Sequence, residues 1–324
     1  MPLYDTNKVA IIRYHFVHDE NTTAYPNIRT ISTNMFKMQL DFMQEHFRII
    51  TMDHLINAAT TGRTLPPNAA LLTFDDGYID HYTNVFPLLS DRKIQASFFL
   101  PTHCIQDNTL LDVNKLHFIL AVAKIDILVD SVYKKLDYYR GLEYNIEEND
   151  VLYNKFAVPN RFDNASTAFV KRLLLSELNE SLSSMILSDL FREFVGIDEN
   201  SFSRRLYLTY QQVKVMKKNG MNFGLRYDIP SNSGVADLDR VSRDIDSSLD
   251  YWKDIINIDS WAISHPYSEY NEDSFKLLEQ KGCKLGLTMR LKIADINGDN
   301  RYELGRVYAE DMPPNSNQLA EYLK

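Results

Sequence analysis

Short apolar segments alternate with amphipathic helical segments along the chain, and this alternation restricts the possible folds more than any other sequence feature. The first four apolar segments are predicted strands and cover residues 9–14, 46–51, 69–74 and 95–101. Segments with helical periodicity separate these strands. One of them places Phe36, Leu40, Met43 and Phe47 on the same helix face. Strands joined through helices usually run parallel, so the sequence predicts an α/β fold.

The alternation stops after the fourth strand and resumes about a hundred residues later. Residues 105–205 are rich in Leu, Lys, Glu and Tyr at helical spacing and have few strand signals. No Pro/Gly-rich linker brackets them, so we interpret them as a helical insertion within one domain that spans residues 1–324. Further strands are predicted at residues 221–224, 260–264 and 285–288, which splits the barrel or sheet around the insertion.

Charge and hydropathy argue against several classes of protein. The formal net charge is -9 and the pI about 5.4, so no nucleic-acid partner is expected. No run of 18 or more apolar residues exists, so no transmembrane helix is predicted. The N-terminal residues lack a charged region followed by an apolar core, and Cys104 and Cys283 are the two cysteines. We therefore expect a cytoplasmic protein with reduced, buried thiols.

Two adjacent carboxylates, Asp75 and Asp76, follow the third predicted strand and precede Gly77. Active sites of α/β folds form at the carboxyl ends of parallel strands. Because two like charges this close repel, one pKa should rise or a cation should lie between them. The alternative is structural, with one Asp capping the next helix while the other faces water. The residues alone leave both interpretations open.

Six segments of the chain resemble the polysaccharide deacetylases, a family that includes chitin, peptidoglycan and exopolysaccharide deacetylases. They are I-R-Y-H at 12–15, F-x-x-Q-L-D at 36–41, T-F-D-D-G at 73–77, A-S-F-F-L-P at 96–101, L-T-Y-Q-Q-V at 208–213 and S-H-P-Y-S-E-Y-N at 264–271. The resemblance covers about 200 of the 324 residues, all outside the insertion. It implies a distorted (β/α)7 barrel that carries the large helical insertion.

The resemblance also implies hydrolysis of N- or O-acetyl groups on sugars. In the family motif the first Asp is the general base and the second Asp binds a divalent metal, usually zinc. Carried over to this chain, Asp75 is the base and Asp76 is a metal ligand. The metal polarises the acetyl carbonyl and activates water.

The chain departs from the family where the two metal-binding histidines are expected. The family pattern is G-x-H-[ST]-x-x-H, whereas residues 224–230 read G-L-R-Y-D-I-P. Arg226 takes the first His position, and the second falls on Pro230 or, after one deletion, on Ile229. None of these side chains binds zinc, and a catalytic zinc normally has three protein ligands. The sequence therefore resembles a divergent member without the histidine pair.

Two hypotheses follow from the missing histidines. In the first, Asp228 and His265 converge with Asp76 to form a substitute site for a divalent metal such as zinc. In the second, the Arg226 guanidinium lies where the metal was and pairs with Asp75 or Asp76, because its planar donors match a carboxylate. We favour this charge replacement. It predicts weak or no deacetylase activity, since Arg cannot lower the pKa of a bound water as zinc does.

The candidate site residues fall into two groups. The catalytic candidates are Asp75, Asp76, Arg226 and His265, and the substrate-binding candidates are His15, Tyr267 and Arg306. His15 ends the first strand and either points into the pocket or packs. Tyr267, together with Tyr270, is a possible apolar platform for a sugar ring. Arg306 lies in L-G-R-V, which resembles the family segment L-P-R-I. We expect it either to bind a substrate carboxylate or an active-site Asp, or to be an ordinary surface arginine.

Two further histidines are assigned no role in the site. His81 follows the Asp-Asp-Gly motif on the first helical turn and is expected at the surface. His117 lies in the insertion and is expected to be structural or exposed.

Three functions remain open. The first is a carbohydrate N-deacetylase, a hydrolase of a carbon–nitrogen bond that acts on an acetylated sugar or glycan precursor of a surface polysaccharide, as in lipopolysaccharide or O-antigen biosynthesis. The second is a catalytically inactive descendant that binds a glycan or a protein partner, which the loss of both histidines supports. The third is metal-free hydrolysis in which Asp75 acts with Arg226 or His265 as the electrophile.

Overall fold

The strands form one continuous sheet. The computed structural model describes residues 5–19, 23–142, 144–226, 238–265 and 270–322. Within these ranges the nine strands are β1 (Lys8–Tyr14), β2 (Arg48–Ile49), β3 (Ala69–Phe74), β4 (Ser97–Pro101), β5 (Asn222–Arg226), β6 (Trp261–Ser264), β7 (Cys283–Leu291), β8 (Ala294–Asp295) and β9 (Leu304–Tyr308).

Seven of these nine strands close into a parallel barrel. Around the barrel the order is β1, β3, β4, β5, β6, β7 and β9, and β9 pairs again with β1. The short β2 extends the sheet beside β3, and β8 pairs antiparallel with β1. The α/β fold and the (β/α)7 barrel expected from the sequence are therefore confirmed.

Helices connect the first strands on the outside of the barrel. They are α1 (Thr33–His46), α2 (Met52–Thr61) and α3 (Phe86–Asp91), the last preceded by a π-helical turn at His81–Val85. The hydroxyl of Ser32 accepts a hydrogen bond from the Met35 amide and so fixes the start of α1. Phe36, Leu40 and Met43 of α1 are fully buried against the barrel, as their spacing predicts.

Of the eight described helices between β4 and β5, the first seven span the predicted insertion at residues 105–205. These helices are α4 (Thr102–Gln106), α5 (Asp112–Val122), α6 (Ile125–Arg140), α7 (Asn149–Phe156), α8 (Ala165–Arg172), α9 (Glu180–Phe194) and α10 (Glu199–Leu206), with a π-helical turn at Leu173–Glu177. They enclose an apolar cluster of their own, which includes Leu116, Phe169 and Phe191. Phe16 and Tyr78, which follow β1 and β3, stack on each other within this cluster. The helices therefore pack on the carboxyl end of the barrel.

The chain returns to alternating strands and helices after this run. The remaining helices are α11 (Tyr210–Lys218), α12 (Leu238–Tyr251), α13 (Glu272–Gln280) and α14 (Leu319–Tyr322), with a 3-10 turn at Ala309–Asp311. A capping box between Thr209 and Gln212 begins α11. Among the residues described, no helix is both long and apolar enough to cross a membrane.

The barrel interior changes from apolar to polar toward the carboxyl ends of its strands. Side chains alternate between the two faces of a strand, so residues two apart share a face. An apolar cluster contains Val9 and Ile11 of β1, Leu71 of β3, Ala262 of β6 and Leu304 of β9. The next positions on the same faces are polar and comprise Arg13, Thr73, Ser264 and Arg306. Asp75 lies two residues after Thr73, so the same two-residue period places it on the polar face of the barrel interior.

Candidate functional site

Asp75 lies at the centre of the polar end of the barrel and is held by two guanidinium groups. Arg306 of β9 donates to both carboxylate oxygens, from Nη1 to Oδ1 at 2.9 Å and from Nη2 to Oδ2 at 2.8 Å. Arg226 of β5 donates from Nη1 to Oδ2 at 3.2 Å. Asp75 and Arg306 have no exposed surface. This bidentate pair is the strongest type of carboxylate contact in proteins.

The electrostatics keep Asp75 ionised. Burial raises the pKa of Asp75, but the positive charges of Arg306 and Arg226 outweigh burial and hold that pKa well below its usual range. A carboxylate with both oxygens occupied by guanidinium donors and with a lowered pKa is a weak proton acceptor. The geometry therefore disfavours Asp75 as a general base.

Asp76 takes a backbone conformation that turns its carboxylate toward Arg226. Its φ is +69° and that of Gly77 is +58°, so both residues lie in the left-handed region. A Cβ at Gly77 would lie 3.1 Å from the Leu100 side chain, which explains why glycine follows the aspartates. The Asp76 carboxylate accepts a hydrogen bond from the Tyr78 hydroxyl at 2.9 Å, and its Oδ1 forms an ion pair with Nε of Arg226.

Arg226 joins the two carboxylates. Besides Asp75 and Asp76, its Nη1 donates to the Ser264 hydroxyl at 3.1 Å, and the side chain is 8% exposed. Ser264 also accepts from Nη2 of Arg306 at 3.0 Å, so one hydroxyl fixes both guanidinium groups. Sequence reasoning left open whether Arg226 pairs with Asp75 or Asp76, and the structure shows contact with both.

The two candidate histidines are neutral. Nε2 of His265 lies 2.9 Å from the Tyr302 carbonyl oxygen, and burial lowers the pKa of His265 to about 4. Nδ1 of His15 lies 3.1 Å from the Tyr14 carbonyl oxygen, and burial lowers the pKa of His15 to about 3. His15 lines the cavity, whereas His265 packs its ring against Tyr270 at 4.8 Å. The roles predicted for both residues stay predictions.

A divalent metal does not fit the side chains that the structure describes. Within residues 5–19, 23–142, 144–226, 238–265 and 270–322, no group of three or more His, Cys, Asp or Glu side chains is placed to hold a metal ion. The carboxylate of Asp76 is engaged by Tyr78 and Arg226. Asp228, the second ligand of the substitute metal site, and Tyr267, the candidate sugar platform, lie outside the described residues.

A cavity of about 590 Å³ opens above the carboxylates. Its floor contains Arg13, His15, Asp76 and Arg226. Its wall comes from the helices between β4 and β5, with Leu120 and His117 of α5 and Lys171 of α8, and from Phe162 and Tyr308. The position of His117 was not anticipated, because its own helix gives no sign that it faces the barrel. His81 was expected at the surface but is fully buried, and its Nε2 lies 2.8 Å from the His15 carbonyl oxygen.

Comparisons with known proteins agree with this architecture. The family model described as polysaccharide deacetylase matches residues 62–129. A poly-β-1,6-N-acetyl-D-glucosamine N-deacetylase of Escherichia coli K12 is 33% identical over 84 residues, which is 26% of this chain and 12% of that protein. The match therefore spans about an eighth of the curated relative's length.

Solved structures match over nearly the whole chain. The deacetylase PplD of Streptococcus pyogenes, in complex with acetate, has a TM-score of 0.57 at 18% identity and covers 98% of each chain. IcaB from Ammonifex degensii has a TM-score of 0.57 at 17% identity, with 99% of this chain and 97% of that chain covered. At such low identity these likenesses establish the fold alone.

Proposed function

We propose that this chain, which belongs to the polysaccharide deacetylase family, binds an N-acetylated glycan in the cavity above Asp76 without metal-dependent hydrolysis. One observation carries the proposal: the guanidinium of Arg226 contacts both carboxylates of the Asp-Asp-Gly motif. The family resemblance implies a divalent metal on Asp76. Arg226 supplies a positive charge at that carboxylate instead.

A guanidinium can neutralise carboxylates but cannot replace the chemistry of a metal. It has hydrogen-bond donors and a fixed charge, whereas a metal ion also coordinates water and lowers the pKa of that water. The residues described here therefore supply positive charge at the two carboxylates but include no group that would generate hydroxide at neutral pH. The lowered pKa of Asp75 also disfavours hydrolysis, because it makes a weaker proton acceptor of the carboxylate that the family uses as a base.

The choice of ligand rests on the cavity and on the relatives. A volume of about 590 Å³ lies within the ~300–1,000 Å³ range typical of small-molecule sites. Phe162 and Tyr308 add aromatic surface to its wall, and arginine side chains lie over both rings, Arg29 over Phe162 and Arg13 over Tyr308, so the wall combines apolar and cationic surface. The curated relative is named for a polymer of N-acetyl-D-glucosamine. We therefore propose an acetamido sugar polymer as the ligand.

N-deacetylation is the second candidate function, and the retention of both motif aspartates at the cavity end of β3 favours it. If the reaction used only the residues that the structure describes, N-deacetylation would be metal-free, with Asp75 as the base and Arg226 or His265 as the electrophile. Such an activity would release acetate and be insensitive to chelators.

Titration calorimetry with N-acetylchitotetraose and with an N-acetylated β-1,6-glucosamine oligomer tests the proposed binding. We expect saturable binding by the wild type, and loss of binding in Leu120→Trp, because Leu120 lines the cavity and an indole there fills it. Val122→Trp is the matched control, since Val122 is 43% exposed on the same helix and does not line the cavity.

An acetate-release assay on the same oligomers separates the two candidates. We expect no release above the protein-free blank, with or without a chelator. Chelator-insensitive release would establish the second candidate in place of the first. Absence of binding by the wild type, or equal binding by Leu120→Trp, would contradict the proposed site.

A further inference from the structure

The charges at the cavity floor do not balance. Three guanidinium groups lie at or beneath the floor against two carboxylates: Arg13 and Arg226 line the cavity with Asp76, and the buried pair of Arg306 and Asp75 lies beneath them. His15 does not add a charge near neutral pH, because its pKa is about 3. The described side chains at and beneath the cavity floor therefore carry one excess positive charge.

The other charged residues of the cavity wall form pairs and leave this excess unchanged. Nζ of Lys171 lies 2.6 Å from the Asp163 carboxylate. Nε of Arg29 lies 3.4 Å from the Glu310 carboxylate. Among the described cationic side chains that line the cavity, Arg13 is therefore the one without an ion pair to another described residue.

The contacts of Arg13 are uncharged. Its Nη1 contacts Sδ of Met289, and its guanidinium carbon lies 4.4 Å from the centre of the Tyr308 ring. Burial, and then repulsion from Arg306, lowers the pKa of Arg13 to about 10. That value keeps the group charged at neutral pH. A desolvated cation without an anion is unfavourable, and an anionic ligand group would compensate it.

We propose that Arg13 binds a carboxylate of the glycan, so that the ligand combines an acetamido sugar with an acidic sugar such as a uronic acid. This inference rests on the proposed glycan binding and names the class of glycan. The planar guanidinium matches a carboxylate through two parallel hydrogen bonds. Arg13 lines the same cavity as Asp76 and Arg226, so the acidic group would lie within the proposed binding site.

Wild-type protein alone provides the first test. A hyaluronan tetrasaccharide alternates N-acetylglucosamine with glucuronate, and its carboxyl methyl ester has the same skeleton without the charge. We expect the acid to bind about tenfold more tightly than the ester, with an advantage that shrinks as salt is added. N-Acetylchitotetraose serves as the neutral reference.

Three arginine variants test whether Arg13 causes the preference for the acid. Arg13→Gln should bind acid and ester equally, whereas Arg29→Gln should keep the preference, because Arg29 lines the same cavity but is paired with Glu310. Arg13→Lys should restore part of the preference. Thermal unfolding of Arg13→Gln should show no loss of stability, since the substitution removes a partly buried charge that has no ion-pair partner among the described residues.

The outcomes separate this inference from the proposed function. Equal binding of acid, ester and chitotetraose by the wild type would overturn the inference and leave glycan binding intact. Failure of every N-acetylated oligosaccharide to bind would overturn both. An oxyanion can also come from a sugar phosphate, so tighter binding of N-acetylglucosamine 6-phosphate than of the uronate tetrasaccharide would overturn the assignment to a carboxylate.

Discussion

Arg306→Met is expected to lower the free energy of unfolding by about 3–5 kcal/mol, the range for removing one partner of a buried ion pair. Arg306 is fully buried and donates to both oxygens of Asp75, to the Ser264 hydroxyl and to the Thr288 carbonyl oxygen. Its loss leaves the buried carboxylate with one donor group, Arg226. Denaturant unfolding at pH 7 measures the change.

Two controls accompany this variant. Arg290→Met removes an arginine that is 54% exposed and paired with Glu303, and we expect a change of about 0–1 kcal/mol. The double variant Asp75→Asn/Arg306→Met should be more stable than Arg306→Met, because the amide carries no charge that needs compensation. A loss below about 1 kcal/mol in Arg306→Met would show that the pair does not hold the barrel end together.

The pH dependence has a defined sign. The pKa of Asp75 is lower in the folded chain than in the unfolded chain, so its pairing stabilises the fold above about pH 4 and does so less as pH falls. In Arg306→Met the pKa of Asp75 moves back toward its ordinary value. The stability difference between wild type and variant should therefore be largest at neutral pH and narrow below about pH 4.

Arg226→Met is expected to cost about 3 kcal/mol, the lower end of the range for a buried pair, because Asp76 lines the cavity and water there can reach its carboxylate once the guanidinium is removed. Asp76→Asn is the suitable partner for a double-mutant cycle, because asparagine tolerates the left-handed φ of +69° better than alanine does. Arg226→Met/Asp76→Asn should be more stable than Arg226→Met by at least about 1 kcal/mol. Strict additivity of the two changes would show that Arg226 does not compensate Asp76.

The barrel could be predicted from the sequence because the patterns that define its strands and helices are local. Continuous apolar runs such as residues 69–74 coincide with β3, and the spacing of Phe36, Leu40 and Met43 gives the buried face of α1. The Asp-Asp-Gly turn and Arg226 are also local features, and the charge-replacement hypothesis follows from them. Arg306 was named with two possible partners, and the structure places it on Asp75.

The remainder of the site could not be predicted because it depends on closure of the barrel and on the packing of the inserted helices. Arg13 lies on β1, two residues before His15. The excess positive charge around it becomes apparent only when the guanidinium groups of β5 and β9 are counted together with Arg13. His117 and Lys171 reach the cavity from α5 and α8. No periodicity within those helices distinguishes a residue facing the barrel from one facing the helical core.

The metal content of the protein distinguishes charge replacement by Arg226 from metal binding at Asp76. The purified chain is incubated with zinc, dialysed and analysed by mass spectrometry, with Asp76→Asn treated in parallel. We expect neither protein to retain zinc, because Arg226 occupies the carboxylate on which the family resemblance places the metal. Retention of about one zinc per wild-type chain, lost in Asp76→Asn, would contradict it and would mean that Asp76 binds metal together with residues beyond those described.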